Sequence, residues 1–132
     1  MAMHVRVVCP EGCVFDQEAA FVDVPSTDGE FGILPRHSSE ICTLERGYVR
    51  ISDEQMGTVD HTIAVTEGYV QVANDEVIIL TERAAEMSKV NAEEVARAKA
   101  GFEDQLRNMS ENDAHRAYLY NEIAWCELQL GQ

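Results

Sequence analysis

Residues 62–84, TIAVTEGYVQVANDEVIILTERA, contain three short apolar runs, TIAVTE, YVQVA and EVIILTE, separated by Glu67-Gly68 and Asn74-Asp75. The runs are too short for stable helices and rich in Val, Ile and Thr, whose branched side chains pack well on a pleated surface. Asn74-Asp75 tolerates positive φ, so the second and third runs read as a hairpin. Toward the amino terminus the same texture continues through HVRVVC, CVFD, AAFVDV, FGIL, SEICTLE and YVRISD. Asp28-Gly29, Arg46-Gly47 and Glu67-Gly68 each read as a reversal that needs a residue tolerant of positive φ. About nine or ten short strands at this spacing predict an all-β sandwich.

Beyond Thr81 the pattern changes to a helical one. From Ala92 to Met109 there is one glycine, Gly101, and no proline, while Val95, Phe102, Leu106 and Met109 recur at helical spacing. Asn91 followed by Glu94 reads as an N-cap. Ser110, Asn112 and Asp113 then interrupt the pattern and offer caps for a second helix from about Ala114 to Leu130. Its alanines, Ala117 and Ala124, let two helices approach closely, so the pair is expected to form an antiparallel hairpin. The expected division is a β-sandwich over residues 1–86 and a two-helix domain over 87–132.

The chain has 132 residues and a formal net charge of −14. Residues 1–88 hold 16 acids against 5 bases, a net of −11. Such a surface repels phosphate, which argues against nucleic acid and anionic lipid as partners. No run approaches a membrane span, and the start MAMHVRVVCPEG is neither a secretory leader nor an Arg/Ser-rich presequence, so a cytosolic-facing location is expected. Cys9, Cys13, Cys42 and Cys126 are expected as free thiols, because zinc requires four ligands and only His4 lies near the first pair.

No phosphate-cradling glycine loop, His-Glu-x-x-His or Gly-x-Ser-x-Gly is present. His37 and the acids around it allow a small-ligand-sensing sandwich as an alternative function. His4, Cys9, Cys13 and His61 allow a metal-dependent enzyme as a second. Neither has the full set of partners that its chemistry needs. Residues 28–41, DGEFGILPRHSSEI, pose a different question, because a turn-rich stretch carries Phe31, Ile33 and Leu34. These side chains either return to a core or are shown to a partner.

Gly29-Glu30-Phe31-Gly32-Ile33-Leu34-Pro35 followed by His37, then Gly47, Val49, Arg50 and Ile51, then Gly68, Tyr69, Val70 and Val72 with Val77 through Leu80, resemble the epsilon subunit of F-type ATP synthase. The resemblance covers nearly the whole chain. It implies a non-catalytic rotor subunit of the central stalk, acting in ATP synthesis driven by a proton or sodium gradient. Its sandwich would bind the gamma subunit and the c-ring, and its hairpin would regulate hydrolysis through transient contact with the alpha and beta subunits. Carried onto this sequence, Glu30, Phe31, Arg36 and His37 would form the c-ring contact, while Ile33 and Leu34 turn inward. Phe102, Leu106, Tyr118 and Trp125 would belong to the regulatory hairpin. The resemblance also implies a peripheral position on the cytoplasmic side of a bacterial plasma membrane.

Two departures qualify that expectation. Family members that bind ATP open the first helix with Ile/Leu-Asp-x-x-Arg-Ala, where this chain has Val90-Asn91-Ala92-Glu93-Glu94-Val95. An acid replaces the arginine, and Arg97-Ala98 comes three residues late, so ATP binding is expected to be weak or absent and no cofactor is expected. Strongly inhibitory members carry several bases in the last helix. Here residues 110–132 hold one base, Arg116, against Glu111, Asp113, Glu122 and Glu127. Weak inhibition, or inhibition through Tyr118, Tyr120 and Trp125, is the expectation.

Overall fold

A computed structural model describes residues 2–132, which divide into two compact units, Met1–Ser88 and Lys89–Gln132. The first unit contains ten strands: β1 (Met3–Cys9), β2 (Gly12–Ala19), β3 (Phe21–Ser26), β4 (Gly29–Ile33), β5 (Glu40–Leu44), β6 (Gly47–Ser52), β7 (His61–Val65), β8 (Gly68–Ala73), β9 (Glu76–Thr81) and β10 (Ala84–Glu86). They form two five-stranded sheets, in the orders β2-β1-β9-β8-β5 and β10-β7-β6-β3-β4. Every pairing is antiparallel except β1 with β9, where Val5 lies opposite Val77.

The core follows from the two-residue pleat. Met3, Val5 and Val7 of β1, Val22 and Val24 of β3, Val49 and Ile51 of β6, Val70 and Val72 of β8, and Val77 and Ile79 of β9 are all buried between the sheets. Full burial of each such side chain contributes about 1.5–3 kcal/mol before the entropy of ordering it is set against the gain. The β1–β2 ladder shifts register between Val7 and Val8. Such a bulge locally bends a strand.

The glycines at the turns act in two different ways. Gly29 has φ 107°, and Asn74 and Asp75 have φ 52° and 59°. Because Ala73 pairs with Glu76, those last two residues form a two-residue hairpin loop with both central φ angles positive. Gly47 and Gly68 are not in the left-handed region, which corrects the expectation for Arg46-Gly47 and Glu67-Gly68. They are there for space: a Cβ on Gly68 would lie 1.8 Å from the Leu80 carbonyl oxygen, and one on Gly47 would lie 3.1 Å from Pro25 Cβ. The reversal beside Gly68 is held by threonines. Thr81 Oγ1 donates to the Thr66 carbonyl at 2.9 Å, and the Arg83 N–H donates to Thr66 Oγ1 at 3.0 Å.

The second unit is the helical pair, α1 (Ala92–Arg107) and α2 (Arg116–Gln129). Asn91 caps α1, its side chain accepting from the N–H groups of Glu93 and Glu94 at 3.1 and 3.2 Å. α2 starts two residues later than its apolar pattern suggested, because Asp113 is used in the turn, where its carboxylate accepts from the His115 N–H at 2.9 Å. The helices pack on each other. Arg116 joins them, its guanidinium reaching the carbonyls of Leu106 and Met109 at the end of α1. Lys99 of α1 donates to the Gln132 side chain at 2.9 Å. Leu119, Glu122 and Cys126 of α2 are buried, whereas α1 has no fully buried residue.

Candidate functional site

The stretch 28–41 supplies β4 and the crossing from one sheet to the other, ending in β5. Along β4 the pleat sends Ile33 fully into the core and sets Phe31 against its edge, while Glu30 faces outward. Leu34 is 48% exposed, which corrects the expectation that it turns inward with Ile33. It directly follows the inward-facing Ile33, so the pleat directs it away from the core, and the tight turn begins at it.

That turn is closed by the His37 N–H donating to the Leu34 carbonyl at 3.2 Å, with Pro35 and Arg36 at its centre. Arg36 has φ 69°, the position of a type II turn usually given to glycine. A left-handed conformation costs a residue with a Cβ about 1–2 kcal/mol. The turn is fixed from the other sheet: the Arg36 N–H donates to the Asp75 carboxylate at 2.6 Å, and Asp75 sits in the β8–β9 turn. The Arg36 side chain is exposed. The His37 ring meets Phe31 edge-on at 5.3 Å, and its Nδ1 lies 2.9 Å from the Ser38 carbonyl oxygen.

Glu30 belongs to a second cluster on the outer face of the same sheet. It accepts from Arg50 Nη1 at 3.1 Å, and Arg50 lies over the Tyr48 ring at 5.7 Å. Asp23, opposite Arg50 in the β3–β6 register, has its carboxyl pushed up to about 6. Burial is the larger cause, followed by the hydrogen bond and like charge of Glu30, with Arg50 acting the other way. Burial also raises the Cys42 thiol, with a smaller contribution from Glu40.

The structure therefore brings Phe31 and His37 together and ties Arg36 by its backbone, while Glu30 is engaged with Arg50 and Asp23. The roles of Asp23, Arg50 and Asp75 in these contacts were not legible in the sequence, where Arg50 figures only in the family resemblance. Asp75 had been read only as a turn former, and nothing local to residues 23 or 50 signals a cross-strand pair.

The residues of the metal-enzyme alternative do not converge on one point: Cys9 and Cys13 are neighbours across the β1–β2 hairpin, and the two histidines are engaged elsewhere. His4 is bonded to Asp16, and His61 Nε2 lies 3.0 Å from Asp53 and 2.8 Å from Gln17. The thiols of Cys9 and Cys13 lie against the carbonyls of Gly12 and Phe15. Among the described residues no group of His, Cys, Asp and Glu is arranged to hold a metal ion.

In the helical unit Phe102, Leu106 and Trp125 are half-buried. Tyr118 is exposed and stacks on His115 at 4.8 Å. Glu93 and Glu94, which stand where ATP-binding family members place their arginine motif, are exposed in the first turn of α1. No helix among the described residues is long and apolar enough to cross a membrane.

A ten-stranded sandwich with a crossing loop tied to both sheets, followed by a separate helical pair, defines a two-unit protein of the β-sandwich plus helical-hairpin class. The family model of the ATP synthase delta/epsilon chain β-sandwich domain matches residues 2–87. The ATP synthase epsilon chain of Desulforamulus reducens is 36% identical over 115 residues, covering 86% of this chain and 85% of that one. That of Synechococcus sp. RCC307 is 42% identical over 94 residues, covering 71% and 67%. Among solved structures, a chain of the Euglena gracilis mitochondrial ATP synthase (OSCP/F1/c-ring) superposes with a TM-score of 0.69 at 19% identity, covering 96% of this chain and 78% of that one. A chain of the Tetrahymena thermophila mitochondrial ATP synthase (central stalk/c-ring) gives 0.60 at 12% identity, covering 99% and 96%.

The chain belongs to the ATP synthase epsilon chain family. It is a non-catalytic subunit of that complex.

Proposed function

We propose that the protein is a rotor element of the central stalk, its sandwich held by the gamma subunit and seated on the c-ring, coupling the two during ATP synthesis driven by a proton or sodium gradient. The observation that carries this reading is the family match across the whole sandwich, residues 2–87. The physical task is mechanical. A close-packed two-sheet core deforms little under load, so torque passes through it without chemistry of its own.

The c-ring contact is assigned to the crossing loop and its neighbours, Glu30, Phe31, Arg36 and His37. Two features support it. The loop is fixed from both sheets, through the Leu34–His37 turn and the Asp75 carboxylate. It also keeps a strained non-glycine residue, Arg36, whose side chain is presented to solvent. Phe31 contributes as the packing under His37 and not as a free side chain.

The hairpin, with Phe102, Leu106, Tyr118 and Trp125, is assigned a regulatory role through transient contact with the alpha and beta subunits. Its inhibition of hydrolysis is weak. The last helix has one base, Arg116, and that guanidinium is engaged by the carbonyls of Leu106 and Met109. ATP binding by the hairpin is weak or absent, because Glu93 and Glu94 would face the phosphates. The protein works as a peripheral subunit on the cytoplasmic side of a bacterial plasma membrane.

Removal of residues 89–132 followed by assay of membrane ATPase tests the regulatory part. Hydrolysis within about twofold of wild type is expected; a rise of tenfold would contradict weak inhibition.

A further inference from the structure

On the outer face of β3, β4 and β6 two acids compete for one base. Asp23 lies opposite Arg50 in the β3–β6 register and opposite Gly32 in the β3–β4 register. Glu30, paired with Pro25, is therefore the diagonal neighbour of Asp23 on the same face, and Gly32 contributes no side chain beside it. The Glu30 carboxylate accepts from Arg50 Nη1 at 3.1 Å, so the three groups meet. The groups that face Asp23 are thus Glu30 from β4 and Arg50 from β6, with the Tyr48 ring against Arg50, while Phe21 and Pro25 on its own strand do not titrate.

Two carboxyls and one guanidinium balance only with one proton. When Asp23 carries it, its O–H donates to the Glu30 carboxylate, Glu30 also holds Arg50, and the three groups sum to zero charge. When the proton leaves, that hydrogen bond is lost, two like charges stand as diagonal neighbours, and Arg50 can neutralise only one of them. Asp23 is half-buried, has the shorter side chain and lies directly opposite Arg50, so it keeps the guanidinium. Glu30 is one methylene longer and its side chain is 63% exposed, so it is the group that leaves. The Asp23 carboxyl is pushed up to about 6, by burial first and then by Glu30, which puts the exchange close to neutral pH.

Resting on the reading that Glu30 belongs to the c-ring contact, we infer that Asp23 is a proton-operated positioning residue for Glu30: protonated, it keeps Glu30 on the sheet beside Arg50, and deprotonated, it displaces Glu30 into solvent ahead of the crossing loop. The contact site then has two states. A carboxylate engaged by Arg50 is not available to a partner, so the state without the proton binds the c-ring more tightly, and acidification weakens the grip by drawing Glu30 back to the sheet.

The test is a nuclear magnetic resonance titration of the full chain from pH 5 to 8, following the Glu30 carboxyl carbon and the Arg50 guanidinium N–H. In the wild type both are expected to move together through a transition near pH 6. In Asp23→Asn, whose amide donates to Glu30 at every pH, the transition is expected to vanish and both signals to keep their wild-type pH 5 positions up to pH 8, with circular dichroism verifying the fold. Signals that stay still near pH 6 in the wild type, or that still move in Asp23→Asn, would overturn the inference. Binding to purified c-ring separates the device from the reading beneath it. The wild-type Kd is expected to be at least threefold lower at pH 7.5 than at pH 5.5, and Asp23→Asn should raise the pH 7.5 value to the wild-type value at pH 5.5. A Kd that Glu30→Ala raises but that pH leaves unchanged in the wild type would overturn the regulation. A Kd that neither pH nor Glu30→Ala changes, alongside the expected titration, would remove Glu30 from the c-ring contact and leave the proton exchange standing.

Discussion

The backbone N–H of Arg36 donates to the Asp75 carboxylate at 2.6 Å, so the loop leaving one sheet is tied to a hairpin turn of the other. Asp75 holds this contact while itself at φ 59°. Two substitutions separate the two roles. Asp75→Gly keeps the backbone conformation and removes the acceptor, and should cost about 1 kcal/mol. Asp75→Ala adds left-handed strain and should cost about 1 kcal/mol more. Urea denaturation of the three proteins checks the ordering, and equal stability of all three would mean that the tie contributes nothing.

Arg36 gives the converse case. Arg36→Gly relieves a strained φ of 69° and should stabilise the fold by up to about 1 kcal/mol. If the exposed side chain serves the c-ring, the same variant should be released from membranes at lower salt than wild type. A more stable protein with unchanged retention would remove Arg36 from the contact.

Asp23 sets a pH dependence. Its carboxyl is raised from 3.8 to about 6, so the folded state holds this proton more tightly than the unfolded chain. The favourable contribution is present below about pH 4 and is lost as pH rises through about 6, above which the half-buried, Glu30-facing carboxylate weighs against folding. Asp23→Asn should therefore stabilise the sandwich at pH 7.5 by about 1 kcal/mol after allowance for solvent screening, and the difference should vanish near pH 4. A nuclear magnetic resonance titration of Asp23 with a midpoint near 4 would contradict this account.

Gly68 and Gly101 make opposite predictions from the same substitution. Alanine at 68 would drive a Cβ to 1.8 Å from a backbone oxygen and should cost about 3 kcal/mol or more, whereas at 101 nothing lies within 4 Å. Gly101→Ala should stabilise α1 by about 1 kcal/mol. Thermal melts of the two variants should move in opposite directions.

Much of this architecture was legible because the signals were local. Val5 and Val7, Val22 and Val24, and Val77 and Ile79 alternate with more exposed neighbours, and that alone assigns their strands and the side facing the core. Asn74-Asp75 announced its own turn, and Asn91 its own cap. The misreadings arose where a residue's role is set by a distant part of the chain. Gly68 looked like a turn glycine, yet it is needed because Leu80 passes close by. Leu34 looked like core because it is as apolar as Ile33, but it follows an inward-facing residue and opens the turn closed by His37, which leaves it on the outer side. Nothing near Asp23, Glu30 or Arg50 in the sequence indicates that three strands bring them together. β10, three residues long, is a strand only because Ala84, Ala85 and Glu86 pair with Val65, Ala64 and Ile63.

The central claim is that a rigid sandwich grips the rotor shaft. Size-exclusion chromatography with light scattering, on the full chain mixed with purified gamma at micromolar concentration, measures it directly. A single peak at the mass of a one-to-one complex is the expected result; two peaks eluting at the masses of the separate proteins would contradict the account.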